Sequence, residues 1–155
     1  MEKDKIEFRR VPVEIVRDHC PKLNKMHYEE VCPHSLEIPL SINWPEYEEI
    51  QRKGALFTII IIVNDAIMGY AWFTLLYPTH YQDTLHAINN VIYVHPKIRK
   101  SGIGLKFIRY LEKELKQIGV KKIYFNSKVK TNFPVVLEHF NYIPEEIIYS
   151  KWIGD

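Results

Sequence analysis

The run from Val91 to Gly119, VIYVHPKIRKSGIGLKFIRYLEKELKQIG, constrains the fold more than any other stretch. Val91 to Val94 are strand formers, and His95-Pro96 ends the run because proline cannot donate to a ladder. A basic turn with Gly102 and Gly104 follows. Ile103, Phe107, Ile108, Leu111 and Leu115 then recur at helical spacing, so a helix is expected over 103–118, closed by Gly119. The strand-forming stretch VKKIYFNS begins directly after it. Strand, tight turn, amphipathic helix and second strand make a β-α-β unit.

The turn also carries a chemical signal. The first turn of a helix has unpaired backbone N–H groups and a partial positive charge. Glycine lets an anion approach those groups closely, and Arg99 and Lys100 add formal charge. Two familiar phosphate turns do not fit. Lys106 follows Leu105 with no Ser or Thr after it, which excludes a P-loop. Gly102-Ile103-Gly104 continues as Leu105, Lys106 and Phe107, which excludes the dinucleotide fingerprint.

The rest of the chain frames this unit. IEFRRV alternates as a first strand, 6–11. VEIVRDHC and KLNKMHYEEV read as helices separated by Pro21, and the proline-rich 32–45 stretch as a loop. PEYEEIQRKG reads as a short helix from Pro45 to Gly54. Two strands flank Asn64-Asp65, a hairpin turn signal. TIIIIV is the pattern of a fully buried strand, and Tyr70, Trp72 and Phe73 are expected in the core. THYQDT is a loop, LHAINNVIYV a strand, NFPVVLEHFN a short helix and EEIIYSKWI a final strand. The expected fold is one mixed α/β domain over residues 1–155, with a central, mostly antiparallel sheet flanked by helices.

Composition bounds the function. No apolar run is long enough to span a membrane, and the charged start MEKDKIEFRR is not a signal peptide. Cys20 and Cys32 do not make a disulfide framework, so a cytoplasmic protein with reduced thiols is expected, Cys32 being read as a buried thiol. Net charge is +2, yet residues 97–130 hold eleven basic residues against Glu112 and Glu114, a local +9. That segment suits a polyanionic ligand. Nucleic acid is the weaker candidate, because the charges spread over helix, strand and loop without a recognised motif. No His, Cys or acidic spacing suggests a metal site.

VIYVHPKIRKSGIGLKFIRYLEKEL resembles the acyl-CoA-binding motif of the GNAT superfamily of N-acetyltransferases: a strand, V-x-P, then [RQ]-x-x-G-x-[GA] opening a helix. The element order is also similar, and NFPVVLEHFNYIPEE resembles the short helix and turn near the family's C-terminus. There Asn141 would take the left-handed conformation usually given to glycine. His80-Tyr81, before the central strand, resembles a pair found in phage-type members.

The resemblance implies that the anion is the pyrophosphate of acetyl-CoA, cradled by the backbone of Arg99, Lys100, Ser101, Gly102, Ile103, Gly104 and Leu105. It implies that Ile92, Tyr93 and Val94 pair with the pantetheine amides in a slot opened by splaying the next strand. Asn132 matches a position that contacts CoA, and Lys128 and Lys130 are candidates to reach phosphate.

The family's usual acid–base pair, a Glu on the central strand and a Tyr in the last helix, has no counterpart. The strand has no carboxylate, and Leu137 fills the Tyr position. The remaining candidates for catalysis are His80, Tyr81, His86 and Glu30. His86 and Asn90 share a strand face by alternation, and His27 and Glu30 share a helix face. In the family the first helices line the acceptor pocket, so the resemblance implies that His27, Glu30 and Asn90 meet the acceptor. The expected activity is direct transfer of acetyl from acetyl-CoA to an amine of a small molecule or protein, in a ternary complex. The alternative is a non-catalytic CoA-binding or virion-associated module. The final strand leaves a homodimer edge open.

Overall fold

A computed structural model describes residues 4–155. Its elements are β1 (Ile6–Arg10), α1 (Val13–His19), α2 (Pro21–Val31), α3 (Trp44–Arg52), β2 (Leu56–Val63), β3 (Ala66–Leu76), β4 (Leu85–Val94), a 3-10 turn (Pro96–Ser101), α4 (Ile103–Gln117), β5 (Val120–Tyr124) and α5 (Phe133–His139). The strands form one sheet in chain order. The first three pairings are antiparallel and β4–β5 is parallel, as its crossover through α4 requires. Asn64 and Asp65 both have positive φ, the conformation of a tight hairpin turn between β2 and β3.

The apolar pattern of β2 explains the layering. Phe57, Ile59 and Ile61 face one side, packed with Phe73 and Ala87 beneath Ile103, Phe107, Ile108, Leu111 and Leu115 of α4. Leu56 and Ile60 face the other, with Tyr70, Trp72 and Tyr93 beneath Val13, Val16, Cys20 and Leu23 of α1 and α2. A strand covered on both faces cannot alternate, which is why TIIIIV reads as an unbroken apolar run. Tyr70, Trp72 and Phe73 lie in this core, as expected.

Gly69 marks where β3 passes the end of β4. A Cβ there would lie 2.6 Å from the Tyr93 carbonyl oxygen and 2.8 Å from Ile61 Cδ1. Gly69→Ala is therefore expected to lower stability by about 1–3 kcal/mol, read by urea unfolding. Stability within about 0.5 kcal/mol of the native chain would mean that the backbone relaxes freely there.

The C-terminal turn follows the sequence reading. Asn141 has φ 62°, and the Asn141 and Tyr142 N–H groups bond back to Glu138 and Leu137. The final strand does not. Residues 142–155 carry no helix or strand, and Ile147, Ile148 and Tyr149 are all exposed. No strand of the sheet pairs with this segment, and extended backbone without a partner edge forms no ladder. The tail is held instead by a Glu145–Lys122 ion pair and a Trp152–His34 aromatic contact. β5 also ends at Tyr124 rather than Ser127, and Cys32 is only half-buried at the end of α2. Among the described residues no helix is long and apolar enough to cross a membrane.

Candidate functional site

The site begins where β4 and β5 part. Their ladder runs from Leu85↔Val120 to Ile88↔Tyr124 and stops. Beyond it, Asn89 to Val94 have no ladder on the β5 side among the described residues. On its other side β4 carries an extra residue: Trp72 pairs with Val91 and Phe73 with Asn89, so Asn90 is bulged out. Asn89 organises this bulge. Its buried carboxamide donates to the Val91 carbonyl at 2.7 Å and to the Trp72 carbonyl at 3.3 Å. Asn126 Nδ2, just past β5, donates to the Asn89 carbonyl at 3.0 Å and spans the mouth of the fork. Past that bond, the edge of β4 from Asn90 to Val94 joins no ladder on the β5 side among the described residues.

That edge leads directly into the basic turn. His95 caps the 3-10 turn, its Nδ1 accepting from the Lys97 N–H at 3.2 Å. Gly102 has φ 75°, a left-handed conformation that glycine adopts without the cost of a Cβ, and it hands the chain to α4. A Cβ built at Gly102 or Gly104 would meet nothing within 4 Å. Both glycines therefore leave room beside their Cα atoms, at a helix N-terminus that carries partial positive charge. Among the described residues Lys97, Lys100 and Lys106 make no ion pair, so their charge remains available.

Arg99 is already engaged. Its guanidinium forms a two-pronged ion pair with Glu30 of α2, Nη1 to Oε1 at 2.7 Å and Nη2 to Oε2 at 2.8 Å. Its Nε donates to the Val94 carbonyl at 2.8 Å, and it lies over the Tyr93 ring. The Tyr93 hydroxyl donates to Glu30 Oε2 at 3.0 Å. The Arg99 hydrogen bonds hold the Glu30 carboxyl below its ordinary pKa, with partial burial opposing and Tyr93 assisting. Burial, and then the Glu30 carboxylate, push the Tyr93 phenol up to about 12. His27, one turn before Glu30, stacks on Tyr93 at 4.7 Å and shares a 3.1 Å hydrogen bond with the Tyr70 hydroxyl. Burial lowers its pKa to about 4; Glu30 opposes this, while Lys128 and Arg99 add to it. His27 is neutral at pH 7.

The face of β4 that carries Asn90 opens onto α3. Ser41, Ile42, Asn43, Glu46, Tyr47, Ile50 and Asn90 line a cleft of about 350 Å³. Thr74 Oγ1 donates to Asn90 Oδ1 at 2.9 Å and orients its carboxamide. Asn43 caps α3, accepting from the Glu46 N–H, and its Nδ2 donates to the Glu46 carboxylate at 3.0 Å.

The structure thus brings His27, Glu30, Tyr93 and Arg99 together, with Ile92 and Val94 on the same edge. It does not bring His80, Tyr81 and His86 to this edge. His86 is buried in the closed half of β4, packed between the rings of Tyr81 and Tyr124, with Nε2 bonded to Thr84 Oγ1. His80 is exposed in the loop before β4. The bulge lies five residues along the strand from Leu85, about 17 Å. Asn132 is exposed at the start of α5 and its side chain caps nothing.

Family comparison decides what this frame belongs to. Residues 23–136 match the model of the acetyltransferase (GNAT) family. The chain belongs to the GNAT family. No curated protein matches it. Among solved structures, the GNAT chain shares its fold with glucosamine-6-phosphate N-acetyltransferase from Arabidopsis thaliana, at 16% identity and TM-score 0.70, covering 97% of this chain and 99% of that one. A ribosomal-protein-alanine N-acetyltransferase from Brucella melitensis matches at 17% identity and TM-score 0.68, covering 97% and 100%. A predicted acetyltransferase from Clostridium acetobutylicum, solved with acetyl-CoA, matches at 14% identity and TM-score 0.68, covering 96% and 97%.

The sequence reading of this GNAT chain missed Asn89, Asn126 and Glu46. An Asn pair in mid-strand was the available signal for the first, since two adjacent residues of low strand propensity suggest an interruption. The spacing Asn43-x-x-Glu46 before a helix was the signal for the last.

Proposed function

We propose that the protein transfers an acetyl group from acetyl-CoA to an amine, with both substrates bound together. The observation that carries this reading is the unpaired edge of β4 running into the amide-lined turn at Gly102. The edge offers peptide N–H and C=O groups to the pantetheine amides, as a neighbouring strand would. The turn offers N–H groups to the pyrophosphate, and Lys97, Lys100 and Lys106 balance its charge. Acetyl-CoA supplies an activated thioester carbonyl. The amine nitrogen forms the new C–N bond, the C–S bond breaks, and the ammonium proton passes to water as the thiolate leaves.

The acceptor enters by the α3 cleft, which opens beside the bulge. Glu46 is the one charged residue among those lining it, so it favours a cationic amine. Asn90, held by Thr74, orients that amine at the fork. His80 and His86 stand outside this arrangement.

The reading is tested by thiol release from acetyl-CoA with polyamines, aminoglycosides, amino acids and lysine peptides as acceptors. With an accepted amine, Glu46→Gln is expected to raise the acceptor KM roughly tenfold with little change in kcat, the mark of a lost binding contact. His80→Ala is expected to keep kcat/KM within about twofold, well short of the roughly 10²-fold loss that removing a general base brings. A hundredfold loss in His80→Ala would return the proton-transfer role to the loop before β4. Failure of acetyl-CoA to bind would remove the reading altogether.

A further inference from the structure

We propose that Glu30 serves the cofactor side of the site: with Arg99 it forms a clasp that fixes the Pro96–Gly102 turn, and Arg99 acts as a tether rather than as an anion ligand. The inference rests on the reading of this turn as the CoA pyrophosphate site. It assigns Glu30 away from the acceptor, which its place on an early helix had suggested.

The geometry of the two side chains carries the assignment. Each of the three guanidinium nitrogens has a partner: Nε on the Val94 carbonyl, Nη1 and Nη2 on the two Glu30 oxygens. This fork-to-fork arrangement is among the stronger and more directional ion pairs available to a protein. Glu30 is equally committed, because Oε2 also accepts from the Tyr93 hydroxyl. Each charge is already balanced by the other: an arriving ammonium would have to share Glu30 with Arg99 and Tyr93, and a phosphate would find only the two remaining Nη–H groups of a guanidinium whose charge Glu30 neutralises.

The clasp also occupies a mechanical position. The other side-chain hydrogen bonds of the turn are local, Ser101 Oγ to the Ile98 carbonyl at 2.6 Å and Lys97 N–H to His95 Nδ1. Among the described residues, the Arg99–Glu30 pair is the only side-chain hydrogen bond from 95–105 to a distant element, spanning 69 positions. Arg99 lies three residues before Gly102, so its tether sets where the following amides sit. The Nε bond to Val94 fixes the same guanidinium to the end of β4. One planar group thus aligns the free strand edge, the turn and α2. Preorganised donors bind an anion more tightly because no ordering is left to be done on binding.

The test is a double-mutant cycle read by CoA titration calorimetry on the full chain. Glu30→Gln and Arg99→Gln are each expected to raise the CoA Kd roughly five- to tenfold, and the double variant is expected to be no weaker than the weaker single, because both remove one interaction. Arg99→Lys, which keeps the charge and loses the fork, is expected to behave like Arg99→Gln. Melting curves without ligand keep folding separate from binding, and Glu30→Gln preserves the shape of the side chain. Additive effects, a Glu30→Gln Kd within twofold of the native value, tighter binding in Glu30→Gln, or native affinity in Arg99→Lys would each overturn the clasp. If CoA does not bind the native chain, the reading of the turn fails first and takes the clasp with it. If CoA binds normally and the cycle is additive, the clasp alone is wrong.

Discussion

Gly104→Val is expected to leave the unligated protein as stable as the native chain and to abolish its stabilisation by CoA. The position separates folding from binding. Gly104 lies in the first turn of α4 without a positive φ, and a Cβ there meets nothing within 4 Å. Valine is no worse than glycine in a helix, so the fold loses nothing. The added methyls would fill the space before the N-terminal amides, where the pyrophosphate must come close. At a CoA concentration about 100 times Kd the native chain should gain about 2.7 kcal/mol. For a domain of this size that is a rise of roughly 5–10 °C in melting temperature. The variant should show none of it. Gly102→Val should also lose the shift, but its φ of 75° would add backbone strain of about 1–2 kcal/mol without ligand. An undiminished shift in Gly104→Val would put the anion elsewhere.

Asn89→Leu is expected to damage the fold and the site together. The side chain is buried and donates to two backbone carbonyls, those of Trp72 and Val91, on either side of the bulge. Leucine has a similar volume but cannot donate, so both bonds go and their acceptors stay in the protein. Each such loss costs about 1–3 kcal/mol, giving roughly 2–6 kcal/mol together and a fall of roughly 4–24 °C in melting temperature. Asn90→Ala next to it should cost less than about 1 kcal/mol, because Asn90 is exposed and holds one bond to Thr74. Thermal and urea unfolding of the pair would check the contrast. Equal stability in the two variants would mean that the bulge is set by the backbone and not by Asn89.

Much of this frame was legible from local pattern. The strand-turn-helix unit, the hairpin at Asn64-Asp65 and the left-handed Asn141 each rest on residues that dictate nearby backbone geometry. The final strand was misread for the opposite reason. Ile147, Ile148, Tyr149 and Trp152 favour extended backbone, but a strand also needs an edge to pair with, and that is settled by the rest of the chain. The site divided along the same line. Gly102 and Gly104 announce themselves where they act. The Glu30–Arg99 pair joins residues 69 positions apart, and no spacing rule reaches that far. Glu30 read as an acceptor-facing carboxylate because its partner lay in a motif that seemed complete alone. His80 drew attention through its neighbours in sequence, whereas the ladder from Leu85 to Ile88 keeps it at the closed end of the fork.

The extra residue at Asn90 has a consequence for how β4 is read. Before it, odd-numbered residues turn toward α4: Leu85 and Ala87 pack in that cluster. After it, even-numbered ones do: Ile92 and Val94 join the same cluster, while Val91 and Tyr93 face α1 and α2. The strand changes phase in its middle, much as a reading frame does after an insertion. Removing one residue there would restore a single phase along the whole strand. Tyr93 would keep its place toward His27 and Glu30, and Ile92 and Val94 theirs toward α4, because the bulge already absorbs the extra residue. The same residues held in regular alternation, without the bulge, would instead exchange the two faces of every residue from Asn90 up to the turn, so the bulge is what lets the full-length strand serve both layers.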